Sequence, residues 1–179
     1  PLTVLLGHLQ AARVEAAEGS EDEARLAMLV DETQRLRELI NGLLFLARAD
    51  SGLQLPPDKP IDFSALLEDM CEDLPIIAEG LSVTSEIAPN LSVLGTKSLL
   101  QQAVQNLISN TIKYNRRDGW IRVSATVEGD NVCCRVSNAG KGISEKDQPH
   151  VFDRFFRVDE SRSRIIDGHG LGLSLAREI

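Results

Sequence analysis

Gln101 to Asn115 reads QQAVQNLISNTIKYN, and everything else in the chain is arranged as support or cover for it. Leu100, Val104, Leu107, Ile108 and Ile112 recur three and four residues apart, so the spacing predicts a helix with one apolar stripe that packs against something. Asn106, Asn110, Lys113 and Tyr114 then fall together on another side. Two carboxamides and a lysine on one rigid element make a polar wall suited to a hydrated cation beside an anionic group. No acid stands among them. Taken alone, the stretch reads better as an amphipathic surface helix that happens to carry Asn and Lys.

Three further stretches follow it: Asn138-Ala139-Gly140-Lys141-Gly142, Phe152-Asp153-Arg154-Phe155-Phe156, and Gly168-His169-Gly170-Leu171-Gly172-Leu173. In this order and spacing the four stretches resemble the N box, first glycine box, F box and second glycine box of sensor histidine kinases. The ATP-binding fold of those kinases is shared with gyrase-type and heat-shock chaperone ATPases. Each motif is weak alone, and the ordered set is specific. The resemblance implies ATP and Mg2+ as cofactors. It implies a nucleotide site made by Asn106, Asn110, Lys113, Tyr114, Asn138, Gly140, Gly142, Ile143, Arg162, Gly168, His169, Gly170, Leu171 and Gly172. Asn138 and the run FDRFFRVDESR further resemble a metal-responsive subset of these kinases.

The residue types suit that chemistry. Magnesium prefers oxygen ligands in an octahedron and keeps several waters, and the side-chain oxygens of Asn110 and Asn106 supply such ligands without added negative charge. Lys113 can meet phosphate directly or through water, while Tyr114 suits either a phosphate contact or the adenine pocket. The related chaperones and gyrases carry a water-activating glutamate at the place of Asn106. An amide is a poor general base, which favours phosphoryl transfer over hydrolysis. Gly140 and Gly142 are expected to let backbone approach the nucleotide. Asn138 stands where most of the family has an aspartate that accepts from the adenine amino group, and an amide can both accept and donate. The segment from Arg157 to Asp167 reads as a lid with Arg162 or Arg164 reaching the phosphates, and Phe152, Phe155 and Phe156 read as its anchors. The helix opening near Leu171 is expected to turn its free N–H groups toward the phosphates. His169 reads as a spacer that could also touch phosphate, and His150 needs no role. The absence of a Gly-Lys-Ser/Thr loop excludes the P-loop enzymes.

With 179 residues, 42% hydrophobic and 26% charged, the chain has the composition of one globular domain plus a smaller appendage. A net charge of -8 without a Lys/Arg-rich face argues against nucleic acid as partner. No apolar run approaches the length of a membrane span. Cys71, Cys133 and Cys134 have neither zinc nor redox spacing and read as small reduced core residues.

The expected architecture is α+β: a helical hairpin over residues 1–50, a linker over 51–60, and an ATP-binding α/β sandwich over 61–179. A helix from Pro1 to about Ala17 carries Leu2, Leu5, Leu6, Leu9 and Ala12 on one face. After a turn at Glu18-Gly19-Ser20, a helix from Glu21 to about Ala49 carries Leu26, Leu29, Thr33, Leu36, Ile40, Leu43 and Ala47 at heptad spacing. Val30, Leu39, Leu44 and Leu46 widen that stripe beyond one partner helix, which predicts a homodimeric four-helix bundle. The prolines of SGLQLPPDKP stop the helix. A helix over Ser64 to Glu79 capped by Asp62 or Ser64, strands over Leu81 to Ile87 and Leu91 to Leu94 split by Pro89-Asn90, and a hairpin of Trp120 to Val127 with Asn131 to Ser137 complete the sandwich.

The resemblance also assigns roles. Pro1-Leu2-Thr3 matches the tail of an H box, which places the phosphoacceptor histidine just before Pro1. His8 is no substitute, because Leu9 follows it where an acid is needed. Both ends read as cut. The reading is the catalytic core of a two-component sensor histidine kinase that passes the γ-phosphoryl group to that histidine and on to a response-regulator receiver aspartate. It would be the cytoplasmic part of a parent anchored in the bacterial inner membrane. The alternatives are an ATP-binding regulatory dimer without kinase activity and an ATPase of the same fold.

Overall fold

The computed structural model describes residues 1–50, 59–158 and 169–179, which form two compact units, Pro1–Gly52 and Leu53–Ile179. The first holds helices α1 (Leu2–Glu15) and α2 (Glu21–Asp50). Ser20 and Glu23 start α2 together: Ser20 Oγ accepts from the Glu23 N–H at 3.1 Å, and Glu23 Oε2 accepts from the Gly19 N–H at 2.7 Å. This reciprocal pair satisfies backbone donors that a helix start otherwise leaves open.

The seam of the hairpin differs from the expected one. Leu6, Val30 and Thr33 are buried, with Leu2, Leu9, Ala12 and Leu26 half-buried, whereas Leu5, Leu29, Leu36, Ile40, Leu43 and Leu44 are exposed. Thr33 tolerates burial because its Oγ1 donates to the Leu29 carbonyl at 2.7 Å. α2 is apolar on two sides, and α1 covers only one of them.

In the second unit, strand β1 (Lys59–Asp62) pairs antiparallel with β3 (Ser92–Gly95), and β2 (Ser82–Ile87), β4 (Trp120–Glu128) and β5 (Asn131–Asn138) form a second sheet in the order β2-β4-β5. The β2-β4 pair is parallel and the β4-β5 pair antiparallel. Lys59 and Pro60, expected as linker, belong to β1; a two-stranded sheet is all edge, so Pro60 sacrifices no interior ladder bond. The expected helix over Ser64 to Glu79 is instead α3 (Phe63–Glu72) followed by the single turn α4 (Leu74–Ile77), since Pro75 cannot continue α3. Asp62 is the cap, accepting from the Ala65 N–H at 3.0 Å. Ser64 is buried and ties two segments: its hydroxyl donates to the Ala88 carbonyl and accepts from the Leu91 N–H, both at 2.8 Å.

Helix α5 (Lys97–Lys113) lies on the sheet with Val104 and Ile108 buried and Leu100 and Ile112 at the core margin. The core joins these to Phe63, Leu66, Leu67 and Cys71 of α3, Leu74 of α4, and Ile121, Val123 and Ala125 of β4, the inward set of an alternating strand. Cys134 packs at its margin, and burial, followed by the nearby Cys71 and Cys133 thiols, pushes its pKa up to about 11. A thiol held protonated in this way is inert core. Among the described residues no helix is long and apolar enough to cross a membrane.

Candidate functional site

The far end of α5 is stitched to the first glycine box. Asn115 forms an isolated antiparallel bridge with Gly140, and the Arg116 N–H donates to the Ala139 carbonyl at 3.2 Å. Asn115 Nδ2 donates to the Trp120 carbonyl at 3.0 Å, and its Oδ1 accepts from the Arg116 N–H at 3.0 Å. No motif marks Asn115; the one signal in the sequence is an Asn just past a helix end, a place such residues favour. These bonds hold Tyr114, the C-terminal cap of α5, beside the turn that begins at Asn138.

Gly140 is required by the protein itself. A Cβ there would lie 2.8 Å from the Tyr114 carbonyl oxygen and 2.9 Å from Asn138 Nδ2. Gly142 differs: nothing lies within 4 Å of an added Cβ, and its need for glycine comes from a φ of 75°. At Gly140 the close approach of α5 already demands glycine, apart from any room a nucleotide needs. Ile143 is exposed, and its carbonyl accepts from Gln148 Nε2 at 3.1 Å.

The second glycine box meets the middle of α5. Helix α6 (Gly172–Glu178) packs on α5, and a Cβ at Gly172 would lie 3.5 Å from Asn106 Oδ1. Leu171 is 5% exposed, so its side chain belongs to the packing and only its backbone is left to face a ligand. His169 is exposed. Gly168 and Arg162, with Arg164 and most of the expected lid, lie outside the described residues.

Gly170 binds the F box to α6. The Phe155 N–H donates to the Gly170 carbonyl at 3.0 Å, and Phe155 itself has a φ of 65°. The lid that the phenylalanine side chains were expected to anchor lies largely outside the described residues; Phe152 is 43% and Phe155 55% exposed, and among the described residues it is the Phe155 backbone that ties the F box to Gly170. His150, given no role from sequence, has its Nδ1 2.8 Å from Asp153 Oδ2 and its ring 5.7 Å from that of Phe156. It braces the turn.

Asn106, Asn110, Lys113 and Tyr114 therefore line one side of α5 between the two glycine boxes, with Lys113 and Tyr114 exposed and both asparagines half-buried. Two buried side-chain nitrogens have no hydrogen-bond partner among the described residues, Asn106 Nδ2 and Asn138 Nδ2. Each sits against a different glycine box. Orphaned buried donors are uncommon in folded proteins and mark places where a ligand or water belongs. The oxygen-donor set with no carboxylate fits a magnesium ion that keeps its waters and shares a nucleotide's phosphates.

Comparison with known proteins bears on this arrangement. Residues 95–179 match the model of the histidine kinase-, DNA gyrase B- and HSP90-like ATPases. The sensor-like histidine kinase SenX3 of Mycobacterium tuberculosis is 33% identical over 174 residues, covering 96% of this chain and 42% of its own. The sensor protein CzcS of Cupriavidus metallidurans is 31% identical over 179 residues, covering 100% of this chain and 38% of its own. The chain thus spans about two fifths of the length of these relatives. The crystal structure of full-length ShkA in complex with AMPPNP superposes with a TM-score of 0.76 at 23% identity, covering 98% of this chain and 37% of that one.

Proposed function

Residues 95–179 form an ATP-binding domain of the sensor histidine kinase family, and from that premise we propose that this chain is the catalytic region of such a kinase, binding Mg-ATP between α5 and the two glycine boxes. The observation that carries the reading is the pair of orphaned amide nitrogens, Asn106 Nδ2 and Asn138 Nδ2, one at each glycine box. A ligand with acceptors at both ends satisfies them. Asn110 offers its oxygen to the magnesium ion, which when bound neutralises phosphate charge. Asn106 donates to a phosphate oxygen or to a metal-bound water, and Lys113 adds a cation at the mouth. Asn138 meets the edge of the base. Gly142, Ile143, His169, Gly170, Leu171 and Gly172 contribute backbone and shape.

The γ-phosphoryl group then passes to a histidine N-terminal to Pro1. The N–P bond forms as the P–O bond to the β-phosphate breaks, ADP leaves with that electron pair, and the imidazole proton goes to the acid that follows the acceptor in an H box. Asn106 is a poor base for activating water, which favours transfer over hydrolysis. A response-regulator aspartate is the onward acceptor. The test is labelling by γ-labelled ATP of a chain extended at its N-terminus, where acid-labile, base-stable label is expected. Steady phosphate release without labelled protein would overturn the reading in favour of an ATPase, and nucleotide binding with neither would favour a regulatory module.

The hairpin supplies the dimer. Leu29, Leu36, Ile40 and Leu43 are between 39% and 52% exposed and repeat at heptad spacing on the side of α2 that α1 leaves open. Such a stripe is covered by its own copy in a four-helix bundle. The chain is expected to sediment as a dimer at micromolar concentration and Leu36→Glu with Ile40→Glu as a folded monomer, because charges at a buried seam lack partners. A monomeric parent would refute the assignment.

A further inference from the structure

We propose that Asn138 makes the nucleotide pocket tolerant of purines with a carbonyl at position six, so that inosine and guanosine triphosphates bind alongside ATP. This rests on the reading of the site given above. Asn138 ends β5 and is fixed there by its pairing with Ile121. Its Nδ2 is buried beside Gly140 without an acceptor. A carboxamide keeps one face toward a ligand only when a protein group holds the other face, for instance a backbone carbonyl that captures the NH2. Among the described residues none does so here. The Tyr114 carbonyl, which lies against Gly140 as Asn138 Nδ2 does, makes no bond to the amide.

Among the described residues no protein group fixes which end of the amide meets the ligand, and the choice falls to the ligand. With Oδ1 outward, Asn138 accepts from a 6-amino group; rotated by half a turn, it donates to a 6-carbonyl. A carboxylate in the same place has no donor and would turn two lone pairs against a carbonyl oxygen. Rejection by a site built for one hydrogen-bond pattern is steep, and a site that offers either pattern discriminates little.

The experiment is calorimetric titration of the full chain with magnesium and ATP, inosine triphosphate or guanosine triphosphate, for the parent and for Asn138→Asp. Inosine triphosphate isolates position six, because it lacks the 2-amino group of guanine. In the parent, ATP and inosine triphosphate are expected to bind within about tenfold of each other, and in Asn138→Asp the ratio is expected to widen to about 100-fold or more in favour of ATP. The parent alone decides the matter should the variant fail to fold. A parent that already prefers ATP by about 100-fold overturns the proposal, as does the same ratio in both proteins. Failure of the folded parent to bind any nucleotide overturns the reading of the site along with it.

Discussion

Asn110→Ala is expected to abolish magnesium-nucleotide binding at concentrations where the parent saturates, with a loss of affinity of about 100-fold or more, while the fold survives. Asn110 contributes to α5 through its backbone, whose carbonyl accepts from the Tyr114 N–H at 3.0 Å, and that bond is indifferent to the side chain. The carboxamide makes no hydrogen bond among the described residues, so its removal breaks nothing internal. Alanine is also the better helix former, by several tenths of a kcal/mol. What the substitution removes is an oxygen ligand for a hard cation. Loss even of groups that only orient such ligands costs about 10- to 100-fold in metal affinity, and direct ligation sits at or beyond that range. Calorimetry with ATP and magnesium, alongside a melting curve, checks both halves. Unchanged affinity in a folded Asn110→Ala chain would remove this asparagine from the site. A lowered melting temperature without ligand would mean that the side chain holds the helix instead.

Helix α5 was legible because its two faces differ sharply in chemistry: Val104 and Ile108 could only face a core, and Asn106 and Asn110 could only face something polar. The glycine boxes were legible because glycine at short intervals marks backbone that must bend sharply or be approached closely. The hairpin seam was not. Both Leu26-Val30-Thr33 and Leu29-Leu36-Ile40 make plausible stripes on α2, and periodicity reports that a face is apolar without reporting which neighbour covers it. β1 was missed for a different reason. Lys59 to Asp62 contains one strongly apolar residue, Ile61, after a run of prolines, and its pairing with Ser92–Gly95 lies about thirty residues away. Nothing local announces such a contact.

Within the site, sequence reasoning found side chains that present chemistry and passed over those that hold the backbone. Asn115 works by bonding the carbonyl of Trp120 and the N–H of Arg116, partners visible only once strand and helix end are side by side. Gly140 reads as a nucleotide contact because glycine near phosphate is usual, whereas the nearer demand comes from the Tyr114 carbonyl. Phe155 is the strongest case. Bulky residues avoid positive φ, so no propensity argument would place a phenylalanine there, and only the grip of Gly170 accounts for it.

That grip makes Gly170→Ala strongly damaging for a single added methyl group. The residue has a φ of 70°, which alone costs an L side chain about 1–2 kcal/mol. The new Cβ would also stand 2.7 Å from the Phe155 carbonyl carbon, 2.9 Å from its Cα and 2.9 Å from the Phe156 carbonyl oxygen. All three are backbone atoms, so no side chain can swing aside, and crowding of this kind adds about 1–3 kcal/mol. Relief requires the F box and α6 to separate, which breaks the Phe155 N–H bond to the Gly170 carbonyl and moves the backbone beside Asn106. A loss of about 3 kcal/mol or more in denaturant unfolding is expected, together with weakened nucleotide binding. Gly142→Ala is the control, since its φ of 75° is similar but nothing lies within 4 Å of the added methyl. It should cost only the conformational part, about 1 kcal/mol. Equal losses in the two variants would show that positive φ alone sets the penalty and that the contact between Gly170 and the F box carries no weight. A larger loss at Gly170 with unchanged nucleotide affinity would confine the clasp to stability and separate it from the binding site.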